Sequence, residues 1–313
     1  MTLDEQSQQL SAEDQPFYDA LAAAHGDACT EDFKIRLARA FRAHKKNRMQ
    51  VTLAEAARIL AWRAAHGADS ILARELEHSK VFFDCWPGYI YGEDASGHLV
   101  AVDRIAEIRL DVFQKQFAHL EQLLPHRVQY MERIQWEKAA ISKRLGARVY
   151  KHICIVDLKG LGMKHLSRSI INYLKPIFDV GQHYYPETLH RLYLINAPFV
   201  FYGAWKMIAS LIDPETREKI QVFKEGDKFL EAAQNHGIPL AALPAYLGGG
   251  HPGRAMNNTF KPSIPDTPQP VPYPAKLESI ATEAGEKDAA ATPITSVSLS
   301  SLSAEVPAVS ATS

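Results

Sequence analysis

Two charged side chains frame the most apolar part of this sequence. Glu187 stands in YYPE (184–187) and Lys219 in DPETREKI (213–220), and between them PFVFYGAWKMIASLI (198–212) carries one charge, Lys206. An acid and a base held together can bracket a polyhydroxylated, charged head group through charge-assisted hydrogen bonds. On spacing alone the same pair reads first as a surface ion pair worth about 0–1 kcal/mol. His152 and Cys154 are the second candidates. They lie two apart in a strand-like run, so they share one face within ligand reach of each other. A polar cavity lining is the simpler reading there, with a metal or haem ligand as the alternative.

Other chemistry is missing. Lys159-Gly160-Leu161-Gly162 sits between a strand and a helix, but a third glycine of G-x-G-x-x-G would fall on His165, so the dinucleotide fingerprint fails. No phosphate loop of the form G-x-x-x-x-G-K-[ST] and no G-x-S-x-G elbow occurs. The 13 histidines show neither H-x-x-x-H nor H-E-x-x-H spacing, so no metal site is expected.

The elements that must position these residues alternate in type. Strands are expected at LVAV after the turn GEDASG, at ICIV, at LYLI and at KIQVFK. Helices are expected over 111–146, with a break possible at Pro125, over 166–182, kinked or divided at Pro176, over 198–212 and over 227–236. ICIV and LYLI are nearly continuous apolar runs, as strands buried on both faces should be. This alternation implies right-handed crossovers and a mainly parallel sheet, hence an α/β fold. Glu187 precedes one such strand and Lys219 opens the next, so both fall at the N-terminal edge of the sheet. The segment 198–212 is too short to span a bilayer, which takes about 20 apolar residues. It reads as a buried helix or as a cover for something apolar that comes and goes.

Before the sheet, a short helix around 17–24 and a helical hairpin are expected. Thr30 should cap the first hairpin helix, whose apolar face carries Phe33, Leu37, Ala40, Phe41 and His44, with Lys34, Arg36 and Arg39 elsewhere. Lys45-Lys46-Asn47-Arg48 reads as a solvated turn. Thr52 and Glu55 should form a capping box for the second helix, which Gly67 stops, and a polar helix should follow over 70–78. The whole chain has 313 residues, 23% charged and 46% hydrophobic, enough for a full core. A net charge of -1 argues against a dedicated nucleic-acid partner. Three well-separated cysteines allow no disulfide framework and suit a reduced, cytoplasmic setting. No secretory signal, membrane span or lipidation box is expected.

At this point ordered blocks carry a family. IVDLKGLG (155–162), YYPE, LINAPFVF (194–201), DPETREKI and LGGG (247–250) resemble the CRAL-TRIO lipid-binding domain, closest to the yeast-type phosphatidylinositol/phosphatidylcholine transfer proteins. The resemblance extends back to about Phe33. It implies a mainly parallel sheet flooring a large apolar pocket, with a mobile gate helix over one sequestered phospholipid and a small all-α module in front. The implied divisions are a leader (1–29), the helical module (30–68), the lipid-binding domain (69–252) and a Pro/Ser/Thr/Ala-rich tail (253–313) that should be disordered.

What the resemblance implies for residues is specific. Glu187 and Lys219, with Asp213, Pro214 and Thr216 around the second, match the phosphatidylinositol head-group positions, and Arg42 matches a basic position approaching the same site. The gate falls on about Ala197 to Ile212, with Phe199, Phe201, Tyr202, Trp205, Ile208, Leu211 and Ile212 as its apolar residues. The choline-lipid site departs from the family's pattern. Its phosphate contacts align with His152 and Cys154, and of three tyrosines only Tyr130 is retained, the others standing at Ile90 and Ala101. A cationic choline prefers aromatic faces, so a different second lipid, such as a sterol, is left open. The expected function is non-enzymatic transfer or presentation of phosphatidylinositol, transiently at Golgi, endoplasmic reticulum or endosome membranes, with a phosphoinositide kinase as a partner. A carrier or sensor of a sterol, a tocopherol-like molecule or haem is the alternative.

Overall fold

The computed structural model describes residues 10–255, apart from 203, 204, 206–208 and 210–213. The expected tail lies outside the described residues from 256 onward.

Three helices open the chain: α1 (Gln15–His25), α2 (Glu31–Arg39) and α3 (Arg48–Ala65). Thr30 caps α2, its hydroxyl accepting from the Phe33 N–H at 3.2 Å. The helices close on Leu21, Phe33, Leu37, Ala56 and Ile59. Gly67, at φ 58, ends α3 in the left-handed conformation that glycine tolerates best.

Three local expectations are overturned here. The first hairpin helix stops at Arg39 instead of reaching His44, and Phe41 takes a positive φ of 62. Thr52 is not a cap: α3 begins four residues earlier, and Thr52 is buried inside it. The basic residues do not simply face water. Arg48 is buried, with Nη2 donating to Asp14 Oδ1 at 2.7 Å and to the Ala38 carbonyl at 2.6 Å. Arg36 and Arg39 are buried as well. Amphipathic patterning fails for these arginines because groups distant in sequence help satisfy their guanidiniums: Asp14 and the Ala38 carbonyl for Arg48, the Pro186 carbonyl alongside Asp32 for Arg36, and the Tyr150 hydroxyl for Arg39.

The sheet has six strands in the order β5-β4-β3-β2-β1-β6. β1 (Gly88–Glu93) and β2 (Leu99–Arg104) form an antiparallel hairpin. β3 (His152–Asp157), β4 (Leu189–Ile195) and β5 (Ile220–Val222) follow, each parallel to the one before. β6 (Arg254–Ala255) returns antiparallel to β1. The three parallel pairings are the expected ones, whereas β1 was not anticipated. Its GYIYGE is rich in glycine and lacks an apolar run.

The connecting helices are α4 (Ser79–Cys85), α5 (Leu110–Gln116), α6 (Leu120–Leu145), α7 (Arg168–Tyr184), α8 (Pro214–Glu218) and α9 (Gly226–Asn235). The polar helix expected at 70–78 is a 3-10 turn over Ala68–Ala73, with α4 after it. The long helical region divides at 117–119 and not at Pro125. Gln122 accepts from the His119 N–H at 3.1 Å and caps a fresh start there, while Pro125 is accommodated early in α6. α7 continues through Pro176.

Strand alternation gives the sheet two different faces. One carries Val100, Val102, Ile153, Ile155, Tyr193 and Ile195 and is sealed by Phe229 and Ala233 of α9 with Ile238, Leu243 and Leu247. On the other, α6 lays Tyr130, Met131, Ile134 and Ile141 over Ile90, Leu99 and Ala101. The module in front is joined to this core by ring stacking, Trp62 lying 3.8 Å from Tyr184 at the end of α7.

Candidate functional site

One row of side chains crosses five strands on the second face. Ile90, Ala101, Cys154, Leu192 and Ile220 are register partners, strand to strand. Ile90 and Ala101 are closed into the core under α6 at 0% and 2% exposure, while Cys154, Leu192 and Ile220 are half-buried. Val156 in the next row is half-buried too, although it sits in the middle of the sheet. The same face therefore changes from sealed to incompletely covered on passing from β1 to β5. Over the β3–β5 part lies a separate apolar cluster of Leu158, Leu161, Leu194, Ala197 and Phe201, joined by Tyr202, Trp205, Leu192, Ile220 and Val222. Ala197, Phe201, Tyr202 and Trp205 thus pack on the open half of the face. Phe201 and Trp205 stack at 6.1 Å, while Phe199 turns out to solvent at 92% exposure. Of the expected gate residues, Ile208, Leu211 and Ile212 lie outside the described residues.

Glu187 and Lys219 do meet. Their side chains are 3.8 Å apart at the N-terminal edge of β4 and β5, each about four-fifths buried, at 17% and 21% exposure. The loop that carries Glu187 is fastened from several sides. Arg36 donates to the Pro186 carbonyl at 2.9 Å, Thr188 to the Tyr185 carbonyl at 2.8 Å, and Tyr185 to Glu132 at 2.6 Å. Glu132 is paired in turn with Arg63 at 2.7 Å. Glu187 itself sits at φ 57, a backbone region costly for a residue with a side chain. Such a conformation persists only when its surroundings impose it, and these bonds do so. Thr216 accepts the Lys219 N–H at 3.0 Å through its carbonyl, which ties the α8 turn to the base of β5. Pro214 begins α8, and Asp213 lies outside the described residues. Arg42 is held by Asp14 at 2.7 Å.

His152 and Cys154 share the second face of the sheet with Val156, as their spacing implies. Burial pushes the His152 imidazole well below its usual range, helped by the charges of Lys138 and Arg127, so it is neutral at physiological pH. Burial likewise raises the Cys154 thiol and, together with Asp103, the Tyr130 phenol. Neither sulfur nor phenol is a nucleophile in this state. Tyr130 donates to Asp103 at 2.8 Å, and burial raises the Asp103 carboxyl from its usual value, against the pull of Arg127 and Tyr130.

Sequence reasoning missed Arg36, Thr188 and Lys138 as supports of this edge. It also missed a cluster of Asp94, His98 and His190, whose ligand atoms lie within 4.8 Å of one another. His190 reaches it because β4 carries one extra residue between the partners of His152 and Ile153, and a bulge re-aims a side chain. No spacing in the sequence reveals a bulge. The cluster is nevertheless structural. Asp94 accepts from the Ser96 and His98 N–H groups and from His98 Nδ1, all at 2.8–2.9 Å, closing the β1–β2 turn. The two imidazoles stack at 3.8 Å, so their in-plane lone pairs run side by side instead of converging. A cleft of about 200 Å³ lined by Arg104, Glu107, Asp157 and Lys159 opens at the opposite, C-terminal edge of the sheet. It is smaller than ordinary ligand pockets, which run from about 300 Å³ upward.

With this geometry established, comparisons place the chain among known proteins. The CRAL/TRIO domain profile matches residues 83–249. A phosphatidylinositol/phosphatidylcholine transfer protein, SFH14, of Arabidopsis thaliana is 33% identical over 199 residues, covering 61% of this chain and 33% of the relative. The SEC14 cytosolic factor of Yarrowia lipolytica is 30% identical over 190 residues, covering 60% of this chain and 38% of the relative. The Sec14 cytosolic factor of Schizosaccharomyces pombe is 28% identical over 215 residues, covering 68% and 73%. This chain thus spans little more than a third of the first two relatives. The crystal structure of Sfh5 superposes with a TM-score of 0.51 at 18% identity, over 71% of this chain and 84% of that one, a likeness of fold. Among the described residues no helix is long and apolar enough to cross a membrane.

Proposed function

The chain belongs to the CRAL/TRIO domain family, and from that premise we propose that it is a non-enzymatic protein that sequesters one phosphatidylinositol molecule and transfers or presents it at membranes. The observation that carries this reading is the meeting of Glu187 and Lys219 at the rim of a half-covered apolar sheet face. The names of the relatives, which specify phosphatidylinositol and phosphatidylcholine transfer, support the lipid class.

Each methylene of an acyl chain gains about 0.8 kcal/mol on leaving water, so a chain of about 15 methylenes gains on the order of 12 kcal/mol. Such a lipid does not escape into solution, and exchange takes place where the covering segment finds another apolar partner, at a bilayer. Phe199 already faces outward and is the first residue to meet one. Withdrawal of Ala197, Phe201, Tyr202 and Trp205 uncovers Leu192, Ile220 and Val222 for the acyl chains. Glu187 and Lys219 then exchange their mutual bond for bonds to the inositol ring and its phosphate. No covalent step is needed. The setting is cytoplasmic, with transient contact at Golgi, endoplasmic reticulum or endosome membranes, and a phosphoinositide kinase is the natural recipient of a presented lipid.

Vesicle-to-vesicle transfer of labelled phosphatidylinositol tests the proposal. Glu187→Ala and Lys219→Ala each abolish transfer while the far-UV circular dichroism spectrum stays that of the parent. Normal transfer by both variants would sink the head-group assignment. A carrier of a different hydrophobic molecule is the second reading, favoured by the closure of Ile90 and Ala101 into the core, neither of which offers an aromatic face to a choline. Mass spectrometry of organic extracts of the purified protein separates the two.

A further inference from the structure

Two nitrogen groups on the pocket side of the sheet are buried without adequate partners. His152 is 8% exposed, its Nδ1 has no hydrogen-bond partner, and its strand parity with Cys154 and Val156 turns it toward the half-covered face. Lys138 of α6 is 1% exposed and donates to the carbonyl of Tyr150, two residues before His152. A lysine ammonium carries three donors, and one carbonyl satisfies one of them. Among the described residues no carboxylate lies within ion-pair distance of Lys138. The same holds for Arg127, which lies 4.8 Å over the Tyr130 ring and donates to the Ile177 carbonyl at 3.2 Å.

The charges around this corner are unbalanced. Lys138 is faced by Arg36 and Asp32 of α2, by Glu132 of its own helix and by His152 of β3. Of these acids, Glu132 is committed to Arg63 and Tyr185, and Asp32 to Arg36 at 2.9 Å. His152 is faced by Lys138, Arg127 and His98. Among the described residues the strands of this face supply two acids, Glu93, which Arg144 of α6 pairs, and Asp103, which Tyr130 already bonds and which burial raises from its usual value. Burying an ammonium without a counter-charge costs several kcal/mol, so such a group is retained where something compensates it.

We infer that Lys138 and His152 form a second polar subsite of the pocket, which takes the anionic head of an amphiphile, a phosphate monoester or a carboxylate. The subsite rests on the reading of this face as a lipid pocket and names the class of its second ligand. It disfavours a choline head, whose quaternary cation would meet Lys138 and Arg127 and find Ile90 and Ala101 sealed in place of aromatic faces. One ligand group also gives the His152 Nδ1 a partner and the Lys138 ammonium a further acceptor. The anion accepts from the Lys138 ammonium and from the His152 ring, which follows by two residues the Tyr150 carbonyl that Lys138 now holds.

Delipidated full-length protein is titrated with pyrene-labelled phosphatidic acid, labelled oleate and labelled phosphatidylcholine, each carried in neutral vesicles, at pH 6.5 and 8.5. The expected result is that at least one anionic ligand binds about tenfold or more tightly than phosphatidylcholine at pH 6.5 and weakens about tenfold at pH 8.5. Phosphate and carboxylate heads gain negative charge over that interval, so the weakening reports the protein's own amine. Preference for phosphatidic acid identifies a phosphate, and preference for oleate a carboxylate. Lys138→Met and His152→Leu each lower the affinity about tenfold. Both replace a buried polar group by an apolar one of similar length, and thermal unfolding verifies that each folds. Should one not fold, the other carries the comparison. Phosphatidylcholine binding as tightly as both anions, or both variants staying within twofold of the parent, overturns the subsite. Phosphatidylinositol transfer by the parent is measured in parallel. Its failure alone strikes the head-group reading, and failure of the anion arm alone strikes this inference.

Discussion

Lys138→Met takes a charge out of a place that water does not reach. Burial, reinforced by Arg36, pushes the Lys138 amine from its ordinary 10.5 down to about 7. The folded pKa lies below the unfolded one, which sets the sign. Above about pH 10.5 the amine is neutral in both states and costs nothing by this route. As pH falls from 10.5 to about 7, the unfolded chain takes up a proton that the folded chain refuses, so stability drops. Below about 7 both states are protonated and the penalty is constant. At about 1.4 kcal/mol per pH unit, the full interval corresponds to about 5 kcal/mol. Methionine removes that penalty but leaves the Tyr150 carbonyl without its donor, a loss of about 1–3 kcal/mol. The variant is therefore expected to be about 2–4 kcal/mol more stable than the parent at pH 6, the two converging as pH rises toward 9. Urea unfolding followed by tryptophan fluorescence, repeated at half-unit steps from pH 6 to 9.5, measures the difference directly. A variant less stable than the parent at pH 6, or a difference that does not change with pH, would show that the ammonium is compensated in the folded protein and refute the reasoning.

Three further outcomes follow from the same geometry. Glu187→Ala and Lys219→Ala, which on the proposed function abolish transfer, change unfolding free energy by about 1 kcal/mol or less, because the pair remains partly solvated and 3.8 Å apart; differential scanning calorimetry checks this. Asp14→Ala removes the buried carboxylate of Arg48 and leaves it the exposed Glu13 at 3.5 Å, and loss of one partner of a buried pair costs about 3–5 kcal/mol. The Asp14 carboxyl is lowered despite its burial, by bonds to Arg48 and Arg42, so its contribution is present above about pH 4 and is lost as pH falls through the folded value; an acid-unfolding midpoint that moves upward in the variant is the signature. Phe199→Ser leaves stability unchanged within about 0.5 kcal/mol, since the ring is 92% exposed, but reduces cosedimentation with vesicles.

Legibility from sequence followed the range over which each signal acts. ICIV and LYLI announced themselves because a strand buried on both faces needs only its own residues to be apolar. The meeting of Glu187 and Lys219 was legible at one remove: once two parallel strands were placed, both residues had to fall at the same edge. Most of the misses involve partners distant in sequence, the break at 117–119 with its local Gln122 cap being an exception. Arg36 reads as a surface cation until the Pro186 carbonyl arrives from 150 residues away. Thr52 and Glu55 have the local form of a capping box, yet the helix starts at Arg48 because Asp14 and the Ala38 carbonyl hold that side chain in place. The β1 strand carries no periodic signal, being paired on both sides and short of apolar residues, and the bulge at His190 has no sequence signature at all.

The gradient along the row from Ile90 to Ile220 also divides the tasks of stability and selectivity. A change of volume at Ile90 or Ala101 meets close-packed neighbours and is felt by the whole domain. The same change at Leu192 or Ile220 meets a face that is not fully occupied, and it alters what fits there at little expense to the fold. Ligand preference in this architecture can drift at the β4–β5 end while the β1–β2 end stays fixed, so selection for a new cargo has somewhere to act without first having to rescue the protein from unfolding.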